Sequence, residues 1–311
     1  MRPRTRSRTV ALACTLAVCA AGPLVVSACG SRTGLDVAEG AAVLDAGQGP
    51  DAPRSVRVPL DCAEAGITYI YAIGEDNSLY SFYPTTGEFT FIGVLDCPAA
   101  FGATPFSMAV DHRGTAYVVF NDGTLFQVST KTSACEATSF VPGQHGFANF
   151  GMGFAANVGD GGTGETLYVA GDMTGALATI DLDTYTLNVV APFQDAGNAI
   201  DMAELTGTGD GRLFAFFAPL GANETPPSFI DQINPKNAEV LSSVLLPDVV
   251  EGEGWAFGFW GGDFYTFTAP DGETTVVTRY RPSDGSITQV ASAPVGVVIV
   301  GAGVSTCAPQ Q

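Results

Sequence analysis

Two lysines, Lys131 and Lys236, and two histidines, His112 and His145, leave this 311-residue chain poor in positive charge. Thirteen basic residues stand against 32 acidic ones, a formal net charge of −19. A surface of that sign repels phosphate backbones and anionic headgroups, which argues against nucleic acid as a partner. Solubility accounts for the acidity more simply than a cation-binding surface does. Long helix-forming stretches of Glu, Lys and Leu are missing too, whereas Gly (38), Phe (20) and Pro (19) abound. That composition belongs to an all-β domain. No cysteines have metal-ligand spacing, which argues against a zinc site. No Gly-x-Ser-x-Gly elbow supports a nucleophilic serine.

What the chain does have begins at its N-terminus. Arg2, Arg4, Arg6 and Arg8 precede a run from Thr9 to Val26 that is almost wholly apolar. A basic segment followed by an apolar one describes a secretory signal peptide. About 18 apolar residues could nearly span a bilayer, but Gly22-Pro23 interrupts them. The run ends in Val26-Ser27-Ala28-Cys29, which resembles the lipobox of bacterial lipoproteins. The resemblance implies cleavage before Cys29, a lipid on that cysteine, and attachment to a membrane. It also implies the outer membrane of a Gram-negative cell, periplasmic or surface-exposed, because Gly30 stands where an aspartate would signal retention in the inner membrane. Residues 1–28 are then the signal peptide, 29–57 a Gly/Ala/Asp/Pro-rich tether, and 58–311 the folded domain. Loss of residues 1–28 removes four arginines and no acids, so nine basic residues face 32 acidic ones, a net −23.

Cys14 and Cys19 leave with the signal, and Cys62, Cys97, Cys135 and Cys307 remain. An even number of cysteines in an oxidising compartment suggests disulfides.

One pattern recurs five times. Copies start at Leu79, Leu125, Leu177, Ile230 and Val277, spaced 46, 52, 53 and 47 residues apart. Each is a strand, a turn rich in Pro, Asn, Asp or Gly, and a strand starting on an apolar residue, which is a β-hairpin. An aromatic-bearing strand precedes each hairpin, at Tyr71, Tyr117, Tyr168, Phe214 and Tyr265. An inner strand of small residues precedes that, at Ala109, Gly153, Ala203, Gly258 and Ala302. Four short strands per unit of about 50 residues predict a five-bladed β-propeller with four-stranded blades. The last inner strand, 299–307, has no strands after it, and the first hairpin unit, 67–95, has no inner strand before it. Together they complete one blade and close the ring. Cys62 and Cys307 meet at that closure in a position suited to a disulfide. Cys97 and Cys135 pair by elimination, or Cys135, in an apolar slot, stays a buried thiol. The hairpin pattern resembles quinoprotein-like propeller repeats over about residues 67–307. Enzymes of that superfamily use more blades and a tryptophan-docking motif absent here, so the resemblance implies no cofactor. Calcium at the Asp-Gly pairs 122–123, 160–161, 210–211, 271–272 and 284–285 is the one metal left open, although none continues into a calcium loop and turn chemistry explains them.

Three acids on or beside inner strands are the catalytic candidates: Asp111, Asp201 and Glu204. In the register above, Asp201 matches Ser107 and Gly151 and faces the axis, and Glu204 matches the apolar Val110, Phe154 and Phe259. His112 sits in a tight turn, Asp111-His112-Arg113-Gly114. His145 and Asn149 lie where a loop enters an inner strand, the usual place for ligand contacts. Trp255 and Trp260 flank an aromatic strand and are placed to stack on a sugar or a peptide. These residues lead to a monomeric, membrane-anchored binding or scaffold propeller whose ligand is a glycan, a peptide or an envelope protein. The alternative is a glycosidase or lyase with Asp111 and Asp201 as its carboxylate pair.

Overall fold

The structure, a computed structural model, describes residues 62, 69–158, 164–194, 200, 202–219 and 226–311. Cys29, Asp201 and the signal and tether segments lie outside them. The described residues form five sheets of four antiparallel strands. Blade I runs β20 (Ile299–Gly303), β1 (Ile70–Gly74), β2 (Ser78–Tyr83), β3 (Glu88–Val94) from the inside out. Blade II is β4 (Pro105–Val110), β5 (Thr115–Phe120), β6 (Leu125–Ser129), β7 (Cys135–Ala137), and blade III is β8 (Phe150–Ala156), β9 (Glu165–Gly171), β10 (Ala176–Asp181), β11 (Thr186–Pro192). Blade IV is β12 (Glu204–Gly207), β13 (Leu213–Phe217), β14 (Ser228–Ile233), β15 (Val240–Leu246). Blade V is β16 (Trp255–Trp260), β17 (Asp263–Thr268), β18 (Val276–Arg281), β19 (Ser286–Ser292). Each inner strand touches the next, β20 to β4 to β8 to β12 to β16 and back to β20, so the ring is closed. The fold is a five-bladed β-propeller.

Alternation along the strands sends side chains to both faces of a blade, and each face packs on a neighbour. Five apolar clusters result, one per interface. Met152, Phe154 and Tyr117 join blades II and III, for example, and Phe214, Phe257 and Phe264 join IV and V. The inner strands are small because they nearly touch. A Cβ on Gly153 would lie 2.7 Å from the Leu205 carbonyl oxygen, and one on Gly301 would lie 2.7 Å from the Met108 nitrogen.

All five outer hairpins turn in the same way. The ninth residue of each copy, Gly87, Ser133, Tyr185, Ala238 or Gly285, has φ of +73°, +57°, +54°, +58° or +72°. Its N–H donates to the carbonyl four residues back: Tyr83, Ser129, Asp181, Asn234 or Arg281. Where the turn lacks glycine, a side chain secures it, as when Asp181 Oδ1 accepts from the Asp183 and Thr184 amides.

The register of two inner strands differs from the sequence expectation. Ala109, Gly153 and Gly258 oppose the aromatic residues Tyr117, Tyr168 and Tyr265 as expected. In blade IV, however, Thr206 opposes Phe214, and in blade I, Gly303 opposes Tyr71. Met202-Ala203 imitates Met108-Ala109, but the blade IV strand only begins at Glu204. Gly301-Ala302-Gly303 offers three small residues that size alone cannot rank.

Cys62 is joined to Cys307 and Cys97 to Cys135, with Cα atoms 5.5 and 5.1 Å apart. The residues after β20 tie further blades together: Thr306 Oγ1 donates to Glu165 Oε2 at 2.7 Å, and Gly261 N donates to the Pro309 carbonyl at 2.7 Å.

Two outcomes follow for chemical denaturation. Gly285→Ala, where a Cβ meets nothing within 4 Å but φ is +72°, lowers the unfolding free energy by about 1 kcal/mol. Ser133→Gly shifts it in the opposite sense. Replacing Cys62 and Cys307 by serine opens a 245-residue loop and costs up to about 5 kcal/mol, whereas opening the 38-residue Cys97–Cys135 loop costs up to about 4.

Candidate functional site

Every inner strand starts at the same side of the ring, here the upper face. The upper face therefore carries the blade-to-blade loops and the turns between second and third strands. The lower face carries the remaining turns. The lower end of the axis is covered by the segment after β20, which reaches blade III through Thr306 and blade V through Pro309. Gly209 of blade IV leaves room for the Thr306 carbonyl. His112 and Glu165 also meet on this side. The ring Nδ1 and the amide of His112 each lie 2.7 Å from Glu165 Oε1, and burial raises the Glu165 pKa against these bonds.

Near the upper end lies one layer of inner-strand residues in equivalent register: Ser107, Gly151, Glu204, Ala256 and Gly301, opposite Val119, Ala170, Phe216, Phe267 and Ile73. Four of these are small. The fifth is a carboxylate with no solvent exposure. Glu204 therefore occupies the slot that the sequence register gave to Asp201, three residues earlier. Ser107 Oγ donates to Glu204 Oε2 at 2.9 Å and accepts from the Met152 amide at 3.2 Å. Ser107 belongs to blade II and Glu204 to blade IV. Their bond spans the inner strand of blade III, where Gly151 presents no side chain. Glu204 Oε1 is enclosed and has no hydrogen-bond partner among the described residues.

Burial drives the Glu204 pKa well above its ordinary value. Hydrogen bonds from Ser107 and the Met152 amide oppose the rise, and the nearby Glu251 carboxylate adds to it. Glu251, on the loop entering blade V, is itself pushed up to about 7 by burial, against a bond from the Ala218 amide. Its Oε1 is also enclosed without a described partner, as is Asn149 Oδ1 at the entrance to blade III. Phe106 of blade II and Trp255 of blade V meet edge to face, 5.5 Å between centroids, although their blades are not adjacent. They form an aromatic pair across the upper end of the channel.

The two faces differ in charge. Glu75, Asp76, Asp96, Asp122, Asp172, Asp248, Glu251, Glu253, Asp271 and Glu273 all stand in upper-face connections. The described lysines and arginines, Arg113, Lys131, Arg212, Lys236, Arg279 and Arg281, lie on the lower side. A lower-side cavity of about 400 Å³ between blades IV and V contains Arg212, but that charge is matched: Asp210 accepts from Nε at 2.9 Å, and Phe259 lies beneath the guanidinium at 5.1 Å.

Asp111 caps a turn. Its Oδ1 accepts from the Arg113 and Thr115 amides at 2.9 and 2.7 Å, and burial raises its pKa. It sits four residues below Ser107 on the same chain, about 13 Å along the strand direction, and so at the opposite end of the channel from Glu204. His145 is exposed on the upper face with φ +52°, in a short turn pinned to blade III by Gln144, whose amide donates to the Tyr185 carbonyl at 3.0 Å. Trp255 and Trp260 stand at opposite ends of β16, Trp255 at the mouth and Trp260 against Tyr83 at 6.2 Å. Glu251 escaped the sequence reading because its loop has no counterpart in the other repeats. Among the described residues no three His, Cys, Asp or Glu side chains are gathered as a metal cluster.

No protein-family model matches the chain. No curated protein matches it either. Among solved structures it is similar to the extracellular domain of BT4673 from Bacteroides thetaiotaomicron, at 14% identity over 72% of this chain and 27% of that one, TM-score 0.35. It is also similar to hydrazine synthase of Kuenenia stuttgartiensis (15% identity, 78% and 69% covered, TM-score 0.35) and to a B. thetaiotaomicron protein of unknown function (13%, 74% and 59%, 0.43). The chain spans about a quarter of the first of these. At such values the likenesses say nothing of activity or partners.

The upper-face acids set a pH dependence. Glu251, with an ordinary value near 4.5 when unfolded and about 7 when folded, holds its proton longer in the native state. That stabilisation is complete below about pH 4.5 and is lost as the pH rises to about 7. In chelator-containing buffer, Glu251→Gln should remove a loss on the order of 3 kcal/mol between pH 4.5 and 8, measured as the difference between wild-type and variant urea curves.

Proposed function

We propose that this chain is an exported lipoprotein, held to a membrane by lipid on Cys29, whose propeller binds another envelope protein through its upper face without catalysing a reaction. Residues 1–28 are the signal, 29–57 the tether and 58–311 the binding domain. The outer membrane of a Gram-negative cell is its location, and the domain acts as a monomer. The two disulfides support an oxidising compartment, and with it export.

One observation carries the binding reading: the distribution of exposed apolar side chains. Among the described residues five large ones are more than 60% exposed: Phe101, Val295, Met173, Val141 and Val158. All except Val158 stand on upper-face loops. Such side chains spread over several loops fit a protein surface better than a single sugar, which is held by clustered polar groups around one ring. The acidic character of the same face, with its basic residues on the other side, supports a partner that is basic between its apolar contacts. The Cys62–Cys307 bridge sits on the lower side, opposite the proposed contact surface.

A photo-crosslinking side chain at position 101 or 295 should capture one discrete envelope protein in intact cells, and one at position 158 should not. The purified pair should then bind, with Phe101→Ser or Val295→Ser weakening the affinity about tenfold or more without lowering the melting temperature. Cys29→Ser should move the chain from the membrane to the soluble fraction. Equal capture from both faces, or turnover of an envelope polymer that disappears in Glu204→Gln, would end this reading.

A further inference from the structure

We infer that Glu204 and Glu251 bind a divalent cation at the upper mouth of the central channel. The inference rests on the reading of the upper face as the binding face, and it adds an ion to it.

Three observations converge. The first is Glu204 itself, a carboxylate without solvent exposure in a layer where the other four blades supply serine, alanine or glycine. An enclosed carboxylate oxygen lacking a partner is costly, more so than a neutral group would be. Glu204 Oε1 is such an atom. Second, the other enclosed side-chain atoms without described partners on this face, Glu251 Oε1 and Asn149 Oδ1, are also oxygens, and once both carboxyls are ionised, as a bound cation favours, all of them accept only. A set made only of acceptors calls for an electrophile. Third, no described lysine or arginine stands on the upper side to supply the positive charge.

The donor chemistry selects the ion. Carboxylate, amide and hydroxyl oxygens without sulfur or imidazole suit a hard cation such as calcium or magnesium. Two carboxylates neutralise two positive charges. Calcium completes six to eight oxygens with neutral donors and water, and the inner strands offer such donors, since each is the innermost of its sheet and leaves one edge without a strand partner. An ion there would cross-link blade IV to the loop entering blade V and hold the mouth beneath Phe106 and Trp255.

The test uses the full chain, stripped with EDTA and melted at pH 8 with EDTA, with 1 mM CaCl2 or with 1 mM MgCl2. One of the two cations should raise the wild-type melting temperature by about 5 °C or more. Asp284→Asn, a lower-side control, should keep the shift, and Glu204→Gln and Glu251→Gln should lose it. If neither cation shifts the wild type, or if both Gln variants keep the shift, the inference is overturned. Should the Gln variants not fold, calorimetric titration of the wild-type chain decides. One ion per chain with micromolar or tighter affinity supports the site, and any other stoichiometry or no heat refutes it. Partner binding is read separately at Phe101 and Val295, so losing the ion site leaves the protein-binding reading standing, and the reverse also holds.

Discussion

Five backbones converging on one axis is the constraint on which the rest of this protein depends. The inner strands approach so closely that Gly151, Gly153, Gly301 and Gly303 have neighbouring backbone where a side chain would start. Close approach fixes the small residues, and the small residues let each blade lay its apolar faces against the next. The five inter-blade clusters follow from that geometry. A closed ring also leaves no inner sheet edge open to another chain. The outer edges stay exposed, and each hairpin there is set by the same left-handed residue and the same bond four residues back.

The outer hairpins were legible in the sequence because turn chemistry is local. A residue at positive φ favours Gly, Asn or Asp, or demands a side chain that caps the turn, so the motif repeats even where the residue is Tyr185 or Ala238. Ring closure was legible for a similar reason: the repeat began one strand late and ended on one extra inner strand. The inner register was harder. Smallness is its only requirement, and Met202-Ala203 and Gly301-Ala302-Gly303 satisfy that in more than one frame. Blade IV was consequently read three residues early, which gave Asp201 a slot that belongs to Glu204. Glu251 left no trace, since blade-to-blade loops answer to no repeat. The segregation of charge could not be read at all until the direction of each strand assigned every acid to a face.

That segregation gives the ring a polarity. On the lower side, acids and bases are matched locally: Asp210 with Arg212, Asp263 with Arg281, Glu165 with His112 and Thr306. The Cys62–Cys307 bridge and the segment after β20 cover the axis there. On the upper side, acids stand without described lysines or arginines, and Phe101 and Val295 are left in solvent. A face that is acidic and apolar, with no described lysine or arginine, is poorly explained by stability, because like charges repel and exposed apolar surface gains nothing from water.

Glu204 sharpens the same contrast. Alanine or glycine fills its layer in three of the other blades, and serine in the fourth, at no electrostatic cost. A carboxylate there must be desolvated, keeps one oxygen unpaired and lies near the charge of Glu251. Within this layer, local rules of packing and charge agree in four blades and fail together at the fifth. A buried polar group that departs from the repeat in this way calls for something that completes it. The Ser107 hydroxyl satisfies Oε2 and leaves Oε1. The axis that demands small residues in the other four blades thus admits one large acid at its open end, and packing alone does not explain its oxygen left without a described partner.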